Sequence, residues 1–157
     1  MENFDILEAL RNVTLHIPYV RFDPRAKEPV FSTEDAVCCD LYSIEEVTIQ
    51  PGETKAVHTG IGMQIPKGIG GFLYARSGLA CKSDLAPANK VGVIDPDYRG
   101  EIIAMLHNHG TVVRTIAAGE RIAQMKFAPY FKAEFEEVLS LEDTDRGTGG
   151  FGSTGST

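Results

Sequence analysis

Short apolar stretches, separated by Gly and Pro, recur along this chain. Apolar and polar residues alternate from Val13 to Val20, which predicts a strand that Pro18 confines to a sheet edge or ends. Further strands are predicted at residues 47–49, 55–65, 72–75, 91–94, 101–107, 111–116 and 121–127. Helix signals are few, and one or two helical turns are predicted within residues 77–86. Short strands at this spacing predict an all-β fold, a jelly-roll-like antiparallel β-barrel or sandwich.

The 157 residues suffice for one domain with its own core. A net charge of −7 argues against general binding to nucleic-acid backbones. No apolar run approaches the length of a membrane span, and the acidic start does not resemble a signal peptide. Three cysteines, Cys38, Cys39 and Cys81, show no zinc-like spacing and suit a reducing compartment. We therefore expect a cytoplasmic or nuclear protein without membrane contact.

The segment Val91–Gly100 carries the clearest candidate chemistry. An apolar run ends in Asp95, Pro96 then fixes φ, and Gly100 allows a return strand. A carboxylate held at a strand end beside apolar neighbours can act as a general base. A hairpin with ordinary polar turn residues is the alternative.

The C-terminal residues 146–157 are mostly Gly, Ser and Thr. Such a composition predicts a mobile arm that cannot bury a core. The same arm holds the parts of a phosphate clamp, because Arg146 can pair with phosphate, Ser153 offers a hydroxyl and Phe151 can stack on a base. A plain disordered tail and a substrate-closing arm are both consistent with this composition.

Several other polar residues interrupt apolar segments. Arg76 and Ser77 follow a predicted strand and offer two kinds of phosphate donor. Gln124 supplies a neutral amide within an apolar strand, although a solvent-facing polar residue would look the same. Asp40 suits either a buried hydrogen-bonding carboxylate or an outer-shell metal partner.

Five segments in fixed order together carry more information than any one of them. They are Asp40–Ser43, Arg76–Ala80, Gly92–Gly100, Gly119–Met125 and Arg146–Gly155. In this order they closely resemble the motifs of the trimeric deoxyuridine triphosphatase family (dUTPase). The resemblance runs from about Leu15 to Gly155. It implies a jelly-roll domain at residues 13–145 and a substrate-clamping arm at 146–157, with residues 1–12 as a leader outside the resemblance.

This resemblance implies a homotrimer whose sites lie between subunits. It implies hydrolysis of dUTP to dUMP and diphosphate with Mg²⁺, which limits uracil in DNA and supplies dUMP for thymidylate synthesis. By similarity, Asp95 activates the attacking water. The substrate phosphates coordinate Mg²⁺, and Asp40 contacts the metal through water. The implied phosphate-binding residues are Arg76, Ser77, Gly78 and Gln124. The implied contacts to base and sugar are Asn89, Gly92, Val93, Ile94, Tyr98 and Ile103. The implied closing residues are Arg146, Gly150, Phe151, Gly152 and Ser153.

The chain departs from the family pattern at two places. Val37-Cys38 stands where Ala-Gly is common, and Ala75 replaces a frequent Pro. Two other functions remain open. A dCTP deaminase of the same fold would place a catalytic Glu several residues beyond the hairpin, where this chain has residues 105–107 as Met-Leu-His. A non-catalytic nucleotide sensor would be expected to lack Asp95, Arg76 or Phe151.

Overall fold

The computed structural model of the protein describes residues 14–150, and this part of the chain is built almost entirely from short antiparallel strands. The strands are β1 (Tyr19–Arg21), β2 (Val30–Phe31), β3 (Cys39–Tyr42), β4 (Val47–Ile49), β5 (Thr54–His58), β6 (Ile61–Met63), β7 (Ile69–Tyr74), β8 (Leu85–Pro87), β9 (Gly92–Ile94), β10 (Ile103–Asn108), β11 (Arg114–Ile116) and β12 (Arg121–Pro129). A helix, α1 (Ser77–Ser83), joins β7 to β8. The predicted all-β class is confirmed.

The strands form four sheets in which every pairing is antiparallel. The largest has the order β2-β3-β12-β7-β9, and the next has the order β5-β10-β8. Two pairs, β1-β6 and β11-β4, complete the set. Because every second side chain of a strand faces the same way, β10 buries Ala104, Leu106 and Asn108 and turns Met105 outward.

The core is continuous between the sheets and contains aliphatic residues for the most part. Its completely buried members include Ile49, Val57, Ile102, Ala104, Leu106, Ile122, Ala123 and Met125. Full burial of one such Ile, Leu or Met side chain stabilises a fold by about 1.5–3 kcal/mol. These side chains fix the strands that position the polar residues described below.

Several predicted strand boundaries were wrong. The segment 55–65 is divided into β5 and β6 because Gly60 adopts a positive φ of +66°, where a Cβ would lie 2.9 Å from the Cβ of Ala26. Thr14 to Pro18 does not form a strand, and pairing begins at Tyr19. Pro18 has no N–H to donate, although its carbonyl accepts a hydrogen bond from the Gln64 N–H at 2.8 Å.

The predicted helix of one or two turns within residues 77–86 is present, whereas β11 is shorter than predicted. α1 ends when Asp84 adopts a left-handed conformation with φ of +56°, after which the chain enters β8. β11 begins only at Arg114, because the Asn108 side chain accepts from the Gly110 N–H at 3.0 Å and donates to the Val112 carbonyl at 2.8 Å, so these backbone groups do not pair with a neighbouring strand. Within residues 14–150, no helix is long and apolar enough to cross a membrane.

The chain beyond β12 has no regular secondary structure as far as residue 150. This segment, residues 131–150, leaves the body of the domain with large apolar side chains exposed. Phe131 and Phe135 are each 96% exposed, and Leu139 and Leu141 are also exposed.

Candidate active site

Asp95 is the first residue of a tight turn that follows β9. The Tyr98 N–H donates to the Asp95 carbonyl at 3.1 Å, which closes a four-residue turn with Pro96 at its second position. The turn predicted from the sequence is confirmed. Asp95 is exposed and lines an open cleft of about 800 Å³, the Asp95 cleft, together with Phe72, Val93 and Tyr130. An exposed carboxylate on a rigid turn can accept a proton from a bound water.

The Tyr98 ring packs closely against Gly100, and its hydroxyl group bonds to a nearby backbone carbonyl. Its hydroxyl donates to the Glu101 carbonyl at 2.9 Å. A Cβ on Gly100 would lie 2.6 Å from the Tyr98 Cζ, so only glycine permits the ring to lie where it does. Glu101 is fixed in turn, because its carboxylate accepts from the Gly60 N–H at 2.7 Å and lies 2.9 Å from the His58 Nδ1. The phenol ring therefore has a defined position although it is 44% exposed.

Asn89 approaches the start of the same hairpin. A Cβ added to Gly92 would lie 3.4 Å from the Asn89 amide nitrogen and 3.1 Å from the Leu73 Cβ, so the absence of a side chain at Gly92 allows this approach. Val93 is exposed and Ile94 is half-buried on the hairpin. Ile103 is half-buried on β10.

Asp40, Gln124 and Arg76 meet on the five-stranded sheet. Gln124 pairs with Asp40 on one side and with Tyr74 on the other, so β3, β12 and the end of β7 place one row of residues across the sheet. Arg76 follows Tyr74 by two residues, and the Gln124 amide donates to the Ala75 carbonyl at 2.9 Å. With Ser32, Val37, Cys38, Ser77 and Gly78, these residues line a second cleft of about 410 Å³, the Arg76 cleft.

The buried Asp40 carboxylate joins two guanidinium groups. Its Oδ1 accepts from the Arg76 Nε at 2.7 Å, and its Oδ2 accepts from Arg121 at 3.1 Å and from the Ser32 hydroxyl at 3.0 Å. Burial by itself raises the pKa of this carboxyl, but the hydrogen bonds from Ser32, Arg76 and Arg121 outweigh burial and lower the pKa below its usual value. Asp40 is thus a hydrogen-bonded buried carboxylate, and its predicted contact with a metal through water stays a prediction.

The two clefts lie far apart within one chain. Ile94 pairs with Gly71, so Asp95 lies beside Gly70 at the start of β7, whereas Arg76 lies beyond the other end of that strand. Six residues of extended chain separate Gly70 from Arg76, a distance of roughly 20 Å. A general base and a phosphate-binding cation of one reaction cannot serve the same small substrate at that separation.

The residues predicted to close over the substrate are outside both clefts or outside the described part of the chain. Arg146 is exposed and donates from its Nε to the Gly149 carbonyl at 2.9 Å within a local turn. Gly150 is exposed, with open space around its Cα. Phe151, Gly152 and Ser153 lie outside the described residues, so their predicted roles stay predictions.

Comparison with known proteins places the chain in a family. The family described as dUTPase matches residues 25–155. The chain belongs to the dUTPase family. The family and the fold that the sequence motifs predicted are therefore confirmed.

Two relatives and one solved structure illustrate the likeness of this dUTPase-family chain to known proteins. A deoxyuridine 5'-triphosphate nucleotidohydrolase of Desulfitobacterium hafniense (strain DSM 10664 / DCB-2) is 46% identical over 149 residues, covering 93% of this chain and 99% of the relative. A protein of the same description from Nautilia profundicola is 46% identical over 135 residues, covering 86% and 95%. A mutant dUTPase of Staphylococcus bacteriophage 80alpha, solved with dUpNHpp, superposes with a TM-score of 0.84 at 25% identity, covering 90% of this chain and 99% of that one.

Sequence reasoning missed two residues whose side chains bond to Asp40 in this candidate site of the dUTPase-family chain, Ser32 and Arg121. Arg121 falls within the Gly119–Met125 motif, so the motif itself pointed to it, but its partner on β3 is distant in sequence. Ser32 belongs to a Ser-Thr-Glu-Asp run that resembles a helix cap, yet its hydroxyl donates to Asp40. Cys38, at the departure from the family pattern, lies half-buried in the Arg76 cleft.

Proposed function

We propose that this protein hydrolyses dUTP to dUMP and diphosphate. The observation that carries the proposal is the Arg76 cleft, in which a guanidinium, a hydroxyl and an amide come together from separate segments on a chain of the dUTPase family. Cationic and neutral hydrogen-bond donors that lie this close together are suited to binding a polyphosphate. The chain as a whole carries a net charge of −7, so a nucleotide triphosphate needs this local concentration of donors.

In the proposed reaction Asp95 acts as the general base. Its carboxylate accepts a proton from a water molecule, whose oxygen forms a new bond to the α-phosphorus as the bond to the diphosphate oxygen breaks. Such a displacement needs positioning and charge neutralisation more than covalent help from the protein. Arg76, Ser77, Gly78 and Gln124 bind the phosphates and hold the α-phosphorus in line with the water.

Mg²⁺ is proposed as the cofactor, held mainly by the substrate triphosphate. Within residues 14–150, no cluster of three or more His, Cys, Asp or Glu is placed to hold a metal ion. The triphosphate itself offers the oxygen ligands that Mg²⁺ prefers. When bound, Mg²⁺ neutralises charge that develops on the leaving diphosphate. Asp40 fits a contact through water, because its two oxygens accept three hydrogen bonds and a carboxylate offers about four acceptor positions.

The Val91–Gly100 hairpin is proposed to select the nucleoside. Asn89 and the backbone at Gly92, Val93 and Ile94 read uracil, and Ile103 borders the base. The methyl group that distinguishes thymine from uracil would clash with the hairpin backbone. The fixed ring of Tyr98 lies under the deoxyribose, where a 2′-hydroxyl would overlap with it.

A homotrimer with sites between subunits is the proposed assembly. The length of β7 that separates Asp95 from Arg76, roughly 20 Å of extended chain, supports it, because one copy can supply the base while another supplies the phosphate donors. The exposed Phe131, Phe135, Leu139 and Leu141 also favour association, since large exposed apolar surfaces mark protein contacts. Arg146, Gly150, Phe151, Gly152 and Ser153 are proposed to close over the bound nucleotide.

A panel of nucleoside triphosphates tests the proposal. Diphosphate release is measured with dUTP, dTTP, dCTP, dATP, dGTP and UTP, with and without Mg²⁺. The proposal expects rapid, Mg²⁺-dependent release from dUTP alone. Ammonia release from dCTP would instead identify a deaminase, and tight binding of dUTP without turnover would identify a nucleotide sensor.

A further inference from the structure

Arg121 contacts the one buried carboxylate in the Arg76 cleft. The Asp40 side chain is 8% exposed, yet it pairs with Arg76 from the end of β7 and with Arg121 from the start of β12. Arg121 itself is 47% exposed, about twice the value for Arg76. A buried carboxylate that loses one of two cationic partners becomes poorly compensated, so the position of Asp40 depends on both.

A β-bulge in β12 brings Arg121 close to the Asp40 carboxylate. Side chains three residues apart in a regular strand point to opposite faces, which would separate Arg121 from Gln124. The register of β12 against β3 shifts between Arg121 and Ala123, so an extra residue is inserted there. The shift restores both side chains to the neighbourhood of Asp40, with Gln124 paired opposite to it and Arg121 bonded to its Oδ2.

The charge of the cleft also depends on Arg121. Arg76 and Asp40 alone form a neutral pair, 2.7 Å apart. With Arg121 the group contains two cations and one anion, which leaves one positive charge. A cleft that must attract a polyanion to a chain of net charge −7 gains from that excess charge.

We propose that Arg121 is a positioning residue for triphosphate binding. It holds the Asp40 Oδ2, so that the Asp40 Oδ1 fixes the Arg76 Nε. The Arg76 Nη1 donates to the Arg121 carbonyl at 3.5 Å, which leaves the Nη2 of Arg76 to bind the phosphates. The inference rests on the proposed phosphate-binding role of Arg76, and it assigns Arg121 an action through Asp40 rather than a phosphate contact of its own.

Steady-state kinetics with dUTP and the affinity for dUpNHpp test the proposal in Arg121→Gln, Arg121→Lys and the matched control Arg25→Gln. Arg25 also pairs with an aspartate, Asp23 at 2.7 Å, but in an exposed local loop. Arg121→Gln is expected to raise KM and weaken dUpNHpp binding by about 10-fold or more, the effect of losing a charge-assisted hydrogen bond, with a smaller change in kcat. Arg121→Lys should recover part of the loss, and melting curves identify any variant that does not fold.

A double-mutant cycle separates action through Asp40 from a direct phosphate contact. If Arg121 acts through Asp40, Arg121→Gln should cost much less affinity in an Asp40→Asn background than in the wild-type protein. Additive losses, or a KM for Arg121→Gln equal to that of Arg25→Gln, would overturn the inference. Wild-type turnover in the same assay shows separately whether the proposed dUTP hydrolysis is correct.

Discussion

Asp95 offers the sharpest single-residue test of the proposed mechanism. Asp95→Asn keeps the size of the side chain and, since Asp95 is exposed, should leave the fold intact. An amide cannot accept the proton of the attacking water, so kcat for dUTP should fall by about 10²-fold or more. Affinity for dUpNHpp, measured by calorimetry, should change little. Turnover near the wild-type value would remove Asp95 from the mechanism.

The three cysteines differ in their surroundings, so their rates of alkylation should differ as well. Burial raises the pKa of the Cys39 thiol to about 11, whereas Cys81 is exposed on α1 and Cys38 is half-buried in the Arg76 cleft. Because the thiolate is the reactive form, Cys39 should resist iodoacetamide at pH 8 until the protein unfolds.

Mass spectrometry of the alkylated peptides compares the labelling rates of the three cysteines, and it also tests ligand binding in the Arg76 cleft. Bound dUpNHpp should slow the labelling of Cys38 and leave that of Cys81 unchanged. Equal protection of both thiols, or of neither, would argue against phosphate binding beside Cys38.

At the scale of elements, the hairpin after β9 depends on a close approach at Gly100. A Cβ at this position would lie 2.6 Å from the Tyr98 Cζ, so Gly100→Ala must displace the ring. If the ring excludes the 2′-hydroxyl, Gly100→Ala should lower the ratio of kcat/KM for dUTP to that for UTP. Tyr98→Phe is the matched comparison, because it removes only the hydroxyl that donates to Glu101 and should keep most of the discrimination. An unchanged ratio in Gly100→Ala would exclude Tyr98 as the sugar gate.

Element types were more predictable than their boundaries. Strands do form at residues 92–94 and 103–108, where apolar runs predict them, although Val93 and Met105 on these strands are exposed and the polar Asn108 is buried. The division of residues 55–65 was not predictable in this way, because Gly60 turns there to fit against Ala26, a residue far away in sequence. The bulge in β12 is equally hidden, since the partner strand β3 defines it.

At the scale of the whole molecule, the motifs name candidate site residues, but their spatial arrangement depends on how the strands pair. Asp40, Arg76 and Gln124 do come together across the sheet, as residues of one site should. The sequence could not reveal that Arg121 and Ser32 share the Asp40 carboxylate, because such a contact depends on strand register. Register also explains why Asp95 and Arg76 lie at opposite ends of β7.

That separation leads to a test with mixed subunits. Asp95→Asn and Arg76→Gln should each be nearly inactive alone. If a site takes Asp95 from one subunit and Arg76 from the next, a cyclic trimer that contains both variants should hold about one intact site in three, because only one of its three subunit pairs combines an intact Asp95 with an intact Arg76. Co-refolding differently tagged variants, isolating the mixed oligomers and measuring dUTP turnover checks this number. Either variant refolded alone is the control, and mixed oligomers with no more activity than these controls would contradict a site shared between subunits.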